Sequence, residues 1–384
     1  MMTPISNEMP APGLRAHFVP RWPGNPYHAE LAEQLRPCGI DVGDEWRLKP
    51  IVRRCHVSGR SPDLVHIHAV PRFELSPLQF LRFGMFFHRL RWLRRRGVGV
   101  VWTIHDSFHH EAVFPRIDMM FSRAFFYQAD AVIVHSEAAR KAVERQWDVR
   151  RDAGVFVIPH GNFIGSYPNT VSREEARGKL RIPVGKMVVL FLGMIRPYKG
   201  VRNLVRSFKE MSADDMCLVI AGMPMSEELS AGIASEVESR PDILYRPGHV
   251  KDEEVQDYLN AADVVVFPYT KALTSGALVL AMSFGRACIA PKLGALEDTL
   301  DDEGGMLYDP SRPDGLRKAM EAARAERSRL KTMGEHNRRK AEGWPWEKVA
   351  RMTAEVYQWC VAESRSGSVA AVPEIQPFHS SHAK

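Results

Sequence analysis

KMVVLFLGMIRPYKGVRNLVRSF, residues 186–208, decides the fold. Met187 to Leu192 is an apolar run without polar alternation, the pattern of a parallel strand buried on both faces. Gly193 to Gly200 is a turn with two glycines, a proline, Arg196 and Lys199. Val201, Leu204, Val205 and Phe208 then recur at helical spacing. The order is strand, basic glycine-containing loop, helix. A helix start after such a strand collects anions, because its free N–H groups and dipole point outward. Arg196 and Lys199 add fixed charge that suits a diphosphate. The alternative is an ordinary strand–loop–helix unit with solvated cations. No GxxxxGK[ST] is present, so this is not a P-loop.

The same alternation runs outward in both directions. Strands are expected at 14–19, 63–68, 98–104, 131–135 and 155–158, with helices at 27–35, 76–96, 116–128 and 136–146. After a turn-rich stretch at 162–169, Ser172 and Glu175 form a capping box. Further strands are expected at 217–221, 243–245, 263–267, 287–290 and 305–308. Helices are expected from 227, at 252–262, from about 276 to 284, at 311–330 and at 346–363. The reading is α/β, with two Rossmann-like domains of mostly parallel sheet. The expected limits are 1–165 and 166–345, then a helix at 346–363 returning to the first domain and a disordered tail at 364–384. In such sheets ligands bind beyond the carboxyl ends of the strands. Two such faces across a linker predict a cleft.

The ordered phrases PDLVHIH, VVWTIHDSFHHE, ADAVIVHSEAA, VIPHG, LFLGMIRPYKG, AGMP, DVVVFPY and TSGALVLAMSFGRACIAP resemble glycosyltransferase family 4. That group has the two-Rossmann GT-B fold and includes bacterial exopolysaccharide and lipid-linked sugar transferases. The resemblance spans roughly Leu14 to Cys360. It implies a nucleotide-sugar donor site in the C-terminal domain and an acceptor site in the N-terminal domain. Gly193 and Lys199 match the donor diphosphate loop, and Gly248, His249 and Val250 offer contacts to the base. The family arginine after the glycine is Met194 here, with Arg196 as its substitute. Both members of the family's Glu–seven residues–Glu motif are missing, and Ala272 and Leu280 stand in their places. That removes the usual ribose contact and leaves the retaining outcome open.

Thr274, Ser275 and Gly276 open a helix, and their hydroxyls and free N–H groups suit a second diphosphate cradle; the alternative is a plain N-cap. Fixed cations and N–H donors stabilise a departing diphosphate without a metal, and no DxD-type pair is evident. The acceptor hydroxyl needs a base. Asp106, then Glu111, then His105 are the candidates from the loop after the strand at 98–104, where His109 also lies. His105 is alternatively a contact to the donor sugar, and each of these residues is alternatively a cap or a solvated side chain. Arg21, Asn25, His109 and His160 are expected around the acceptor or the cleft.

The net charge of +6 is confined to residues 1–165, which hold 22 Lys/Arg against 16 Asp/Glu; the rest holds 30 of each. Residues 78–96 carry Arg82, Arg89, Arg91, Arg94, Arg95 and Arg96 with no acid, interleaved with Phe80, Phe83, Met85, Phe86, Phe87, Leu90, Trp92 and Leu93. That is the pattern of a helix lying on an anionic membrane, or of a core helix with a solvated basic face. Five scattered cysteines without CxxC indicate neither a disulfide framework nor zinc. The start of the chain lacks signal-peptide features, so a cytoplasmic enzyme peripheral to the membrane is expected. The expected reaction moves a hexose from GDP-mannose or a UDP-hexose to a lipid-diphosphate-linked saccharide or other glycan, weakly favouring inversion, without metal or nucleic acid. The rivals are retaining transfer, a sugar-nucleotide 2-epimerase of the same fold, and a non-catalytic sugar-nucleotide-binding subunit.

Overall fold

The structure is a computed structural model that describes residues 13–22, 24–45, 47–70, 77–105, 114–147, 154–211 and 214–366. The chain divides into two compact units. Unit 1 takes the chain through Pro159, apart from 136–139, and takes it back from Trp346; unit 2 takes His160–Pro345. The long crossing into unit 2 lies at Pro159, where the expected domain limit is 165.

Unit 1 begins with β1 (Leu14–Val19), α1 (Pro26–Leu35), β2 (Ile40–Gly43), α2 (Leu48–Ser58) and β3 (Leu64–Ile67). It continues with α3 (Pro77–Arg94), β4 (Gly99–Thr103), α4 (Pro115–Phe126), β5 (Ala131–Val134), α5 (Glu137–Trp147) and β6 (Val155–Val157). The strands form one six-stranded sheet in the order β2-β1-β3-β4-β5-β6, all pairings parallel. β2 and α2 were not expected from the sequence. β2 has only two buried side chains, Ile40 and Val42, at the sheet edge, too short a signal to read alone.

Unit 2 holds α6 (Arg173–Leu180), β7 (Met187–Leu192), α7 (Val201–Lys209), β8 (Met216–Gly222), α8 (Glu227–Val237), β9 (Ile243–Pro247) and α9 (Asp252–Ala261). β10 (Val264–Val266), α10 (Gly276–Ser283), β11 (Ala287–Pro291), α11 (Ala295–Thr299), β12 (Gly305–Tyr308), α12 (Gly315–Ala325) and α13 (Leu330–Glu342) follow. Its sheet is also six-stranded and parallel, in the order β12-β11-β10-β7-β8-β9. The helix expected over 311–330 is α12 followed by a 3-10 turn at Arg327–Arg329, and α13 beyond it was not expected from the sequence. Ser172 caps α6 by the expected box: its hydroxyl accepts from the Glu175 N–H, and Glu175 accepts from the Ser172 N–H.

The final helix, α14 (Trp346–Ser366), packs on α1 and β4 in unit 1. Val349, Ala350, Val356, Tyr357 and Cys360 are buried there. Gly99 is required beneath it, since a Cβ at that position would lie 2.7 Å from Cys360 Sγ.

Aspartates just ahead of strands fasten the sheets. Asp63 accepts from the Arg15 N–H at 2.8 Å, Asp130 from the Val100 N–H at 2.8 Å, and Asp263 from the Val188 N–H at 2.7 Å. Each satisfies a donor at the start of the neighbouring strand that the ladder leaves over. Arginines neutralise two of them: Arg94 reaches Asp130 at 2.6 Å, and Arg177 reaches Asp263 at 2.7 Å with Arg173 beside it. Burial nevertheless pushes the Asp130 carboxyl upward in pKa, against the opposing charge of Arg94.

α3 resolves part of the question raised by its composition. Phe83, Phe86, Leu90 and Leu93 are buried. Phe83 stacks on Phe121 and Phe86 meets Phe125, both of α4. Trp92 packs on His56 and lies under the Arg96 guanidinium. These aromatics are core, not a free membrane-facing stripe. Phe80, Leu81 and Met85 do remain exposed. Among the described residues no helix is long and apolar enough to cross a membrane.

Candidate functional site

In unit 2 the chain order reverses at β7. β8 and β9 lie to one side and β10, β11 and β12 to the other. In such sheets ligands bind where successive crossovers diverge, which here is the carboxyl ends of β7 and β10. The loops leaving those two strands, 193–200 and 267–275, are joined directly. The Thr270 amide and hydroxyl both donate to the Tyr198 carbonyl, at 2.8 and 3.0 Å. Gly200, at φ +68°, lies so close to the Pro268 carbonyl that any side chain there collides with it.

Lys199 sits on this junction. Its Nζ is 5.3 Å from the centre of the Tyr269 ring, within cation–π range, and 3.5 Å from where a Cβ on Gly193 would stand. Among the described residues no carboxylate pairs with it. Gly193 has φ +138°, which only glycine adopts readily, and its lack of a side chain leaves the approach to Lys199 open. Gly222 and Gly248 continue the row at the ends of β8 and β9, with φ +142° and +138°. The Gly193 N–H donates to the Ala221 carbonyl and the Gly248 N–H to that of Gly222, both at 3.0 Å. Arg196 follows Met194, and its guanidinium touches the Met194 sulfur at 3.8 Å.

Ser275 is the N-cap of α10, accepting from the Leu278 N–H at 3.2 Å. This is the plain N-cap considered above. It still leaves the Ser275 O–H as a donor and α10's first N–H groups without helical partners. Thr274 precedes it, half-buried. His160 Nε2 stands 3.3 Å from the position a Cβ on Gly276 would take, and His160 Nδ1 lies 2.6 Å from the Gly161 carbonyl. His160 is therefore beside the start of α10 in unit 2. His249 is exposed after β9, and Val250 packs on the unit 2 core.

A larger concavity of about 860 Å³ lies at the amino edge of the same sheet. Four of its cations are committed: Arg173 to Asp263, Arg286 to the Phe284 carbonyl, Arg327 to the Gly185 carbonyl and Arg338 to the Ser283 carbonyl. Asp301 accepts from Lys340 at 2.6 Å and lies 3.0 Å from His336. Among the described residues no group of three or more His, Cys, Asp or Glu is placed to hold a metal.

In unit 1 the expected acceptor residues have structural partners. Arg21 pairs with Asp44 at 3.3 Å. Asn25 caps α1, accepting from the Tyr27 N–H at 3.0 Å. Asp106, Glu111 and His109 lie outside the described residues. His105 ends β4's exit with both ring nitrogens engaged: Nε2 is 3.1 Å from His68 Nδ1, and Nδ1 is 3.4 Å from His135 Nε2. The surrounding histidines were not singled out from the sequence. Their signal is positional, a histidine just beyond one strand after another.

His66 lies between the Tyr357 hydroxyl at 2.5 Å and the Thr103 hydroxyl at 2.7 Å. His28 accepts from the Trp22 N–H at 3.1 Å beneath the stacked Trp22 ring. Burial holds the His28 and His135 imidazoles down to pKa values of about 4, with the Arg21 charge adding to the effect at His28. His66 and His68 are pushed well below the usual value, first by burial and then by neighbouring imidazoles, His28 and His135 at His66 and His66 first at His68.

Residues 5–161 match the family model described as Glycosyltransferase Family 4, and residues 186–325 match Glycosyl transferases group 1. The sucrose-phosphate synthase of Thermosynechococcus elongatus superposes with a TM-score of 0.72 at 19% identity, covering 91% of this chain and 99% of that one. HepE of Anabaena, solved in complex with UDP-glucose, superposes at 0.71 with 14% identity, covering 90% and 99%. The chain is a glycosyltransferase of the GT-B class. Within that class it belongs with the proteins that join a family 4 domain to a group 1 domain.

Among sequence relatives, the D-inositol 3-phosphate glycosyltransferase of Kineococcus radiotolerans is 25% identical over 254 residues, 61% of this chain and 58% of that protein. The alpha-maltose-1-phosphate synthase of Mycolicibacterium smegmatis is 25% identical over 244 residues, 60% and 63%. The chain thus spans between half and two-thirds of the length of these curated relatives.

Proposed function

We propose that this protein transfers a hexose from a nucleotide sugar, a UDP-hexose or GDP-mannose, whose diphosphate lies at the β7/β10 switch point. The observation that carries this reading is the junction itself: Lys199, without a carboxylate partner among the described residues, beside Gly193, which has no side chain to block it. Lys199 and Arg196 with the start of α10 (Thr274, Ser275, Gly276) would stabilise the charge that develops on the departing diphosphate. Such a set needs no metal. Gly248, His249 and Val250 would face the base. HepE, with UDP-glucose bound, makes a UDP-sugar the first donor to try.

The acceptor side is assigned to the carboxyl edge of the unit 1 sheet, with a carboxylate of the 106–111 loop, Asp106 first, as base for the acceptor hydroxyl. A lipid-diphosphate-linked saccharide is the acceptor we favour. Exposed Phe80, Leu81 and Met85 beside Arg82 would meet an anionic cytoplasmic membrane surface. A second reading, a soluble sugar or polyol phosphate, draws on the names of the two sequence relatives. The missing glutamate pair at Ala272 and Leu280 weakly favours inversion.

The test is a thermal-shift panel of nucleotides and nucleotide sugars on wild type and Lys199→Ala, followed by proton NMR of the product anomer. A UDP- or GDP-dependent shift that Lys199→Ala diminishes supports the site. A shift unchanged in that variant removes the diphosphate from it. Product formed only with lipid-linked acceptor, or only with soluble phosphates, decides between the two acceptors.

A further inference from the structure

A row of imidazoles crosses the carboxyl edge of the unit 1 sheet. The adjacent strands β3, β4, β5 and β6 each present a polar group just past their last residue: His68, His105, His135 and the Ile158 carbonyl. These groups form one chain. His68 Nδ1 is 3.1 Å from His105 Nε2, His105 Nδ1 is 3.4 Å from His135 Nε2, and His135 Nδ1 is 2.8 Å from the Ile158 oxygen. At the far end, His68 Nε2 is buried and has no hydrogen-bond partner among the described residues.

The carbonyl fixes the proton order. An amide oxygen only accepts, so His135 Nδ1 carries a hydrogen. A neutral imidazole has one N–H, so His135 Nε2 is bare and must accept, which makes His105 Nδ1 the donor. With His105 neutral as well, its Nε2 is bare and His68 Nδ1 donates to it. That leaves the only bare, unaccepting nitrogen at His68 Nε2, the atom the structure leaves without a partner. A cationic His105 would reverse the last bond. It would place a charge at a half-buried site and leave a buried His68 N–H with no acceptor among the described residues, the more costly arrangement.

We propose that His68 and His135 are positioning residues that hold His105 between them as a neutral Nδ1–H imidazole with both nitrogens committed. His105 then shapes the strand edge and does not take the acceptor's proton. This deepens the reading under Proposed function, which assigns that edge to the acceptor, and leaves deprotonation to a carboxylate.

The test is long-range proton–nitrogen NMR of the full chain labelled with ¹⁵N-histidine, at neutral pH, with assignments from single His variants. Bare and protonated ring nitrogens resonate far apart. We expect His68, His105 and His135 all as Nδ1–H tautomers, whereas free imidazole side chains prefer Nε2–H. His135→Phe removes the anchor and should shift His105 and His68 toward Nε2–H. His135→Gln, which retains a donor and an acceptor, should leave them closer to wild type. An Nε2–H or cationic His105 in wild type, or a His105 indifferent to His135→Phe, overturns the proposal. If His135→Phe fails to fold by near-ultraviolet circular dichroism, the wild-type tautomers and His135→Gln decide it. Absence of turnover with UDP-glucose would count against the donor reading alone, since the tautomers are read without substrate.

Discussion

Thr270 donates twice to the carbonyl oxygen of Tyr198, from its amide at 2.8 Å and its hydroxyl at 3.0 Å. The two residues are 72 positions apart in the chain, and their bonds close the junction on which Lys199 sits. Thr270→Val removes the hydroxyl bond and keeps the amide one. A net hydrogen bond contributes about 0.5–1.5 kcal/mol, so the loss should lie in that range in a urea melt. A drop well beyond it would mean the loops depend on the hydroxyl more than a single bond explains.

Lys199→Ala should leave folding stability nearly unchanged, because no described carboxylate loses a partner. It should weaken UDP or UDP-glucose binding by the value of a charge-assisted bond, about 1.5–3 kcal/mol. Calorimetric titration measures this directly. Equal affinity in both proteins would exclude Lys199 from the diphosphate.

Gly222→Ala tests the glycine row. Gly222 has φ +142°, and a Cβ there runs into the Gly193 carbonyl. Backbone strain in such a region costs about 1–3 kcal/mol, with the clash added to it. Both a lower melting temperature and weaker nucleotide binding are expected, since Gly193 must move. A variant with wild-type stability would show that the strand ends are not locked as described.

Asp263→Ala should be among the most damaging surface-adjacent changes in unit 2. Its carboxylate holds the Val188 N–H, Arg177 and Arg173 together and is itself nearly buried, at 8% exposure. Removing one partner of such a cluster costs roughly 3–5 kcal/mol. Denaturant unfolding checks this; a loss below ~1 kcal/mol would place the cluster among weak surface pairs.

The buried histidines set an acid limit on stability. His28 and His135 have folded pKa values of about 4 against an ordinary 6.5. Between those values the unfolded chain binds protons that the folded chain does not, so stability falls as pH falls from 6.5 toward 4 and levels off below. Each contributes on the order of 3 kcal/mol over that window, from 1.36 kcal/mol per pKa unit. Urea melts at pH 7.5, 6 and 5 should show the decline before most carboxylates titrate. Equal stability at all three values would contradict the neutral, buried assignment.

Much of the fold was legible because it rests on local pattern. The run Met187–Leu192, the glycine turn and the apolar positions 201, 204, 205 and 208 announce one βα unit, and the same alternation repeats down the chain. Ser172 and Glu175 are three residues apart, so their cap is a local event and could be read in advance. The short edge strand β2 could not, since two buried side chains carry too little periodicity. Nor was α13 expected; it begins directly after the 3-10 turn at Arg327–Arg329 where the expected helix stops.

The sequence by itself determined two parallel α/β units and a basic loop after a buried strand, because strand and helix periods and turn residues act over a few positions. Only the tertiary structure decided that β7 and β10 are neighbours, that Thr270 closes on Tyr198, and that Phe83 and Phe86 of α3 are core. It also aligned His68, His105 and His135 along one edge. Parallel pairing joins strands separated by whole helices, so the residues that meet at their ends are set by sheet order and register, which no short stretch of chain encodes.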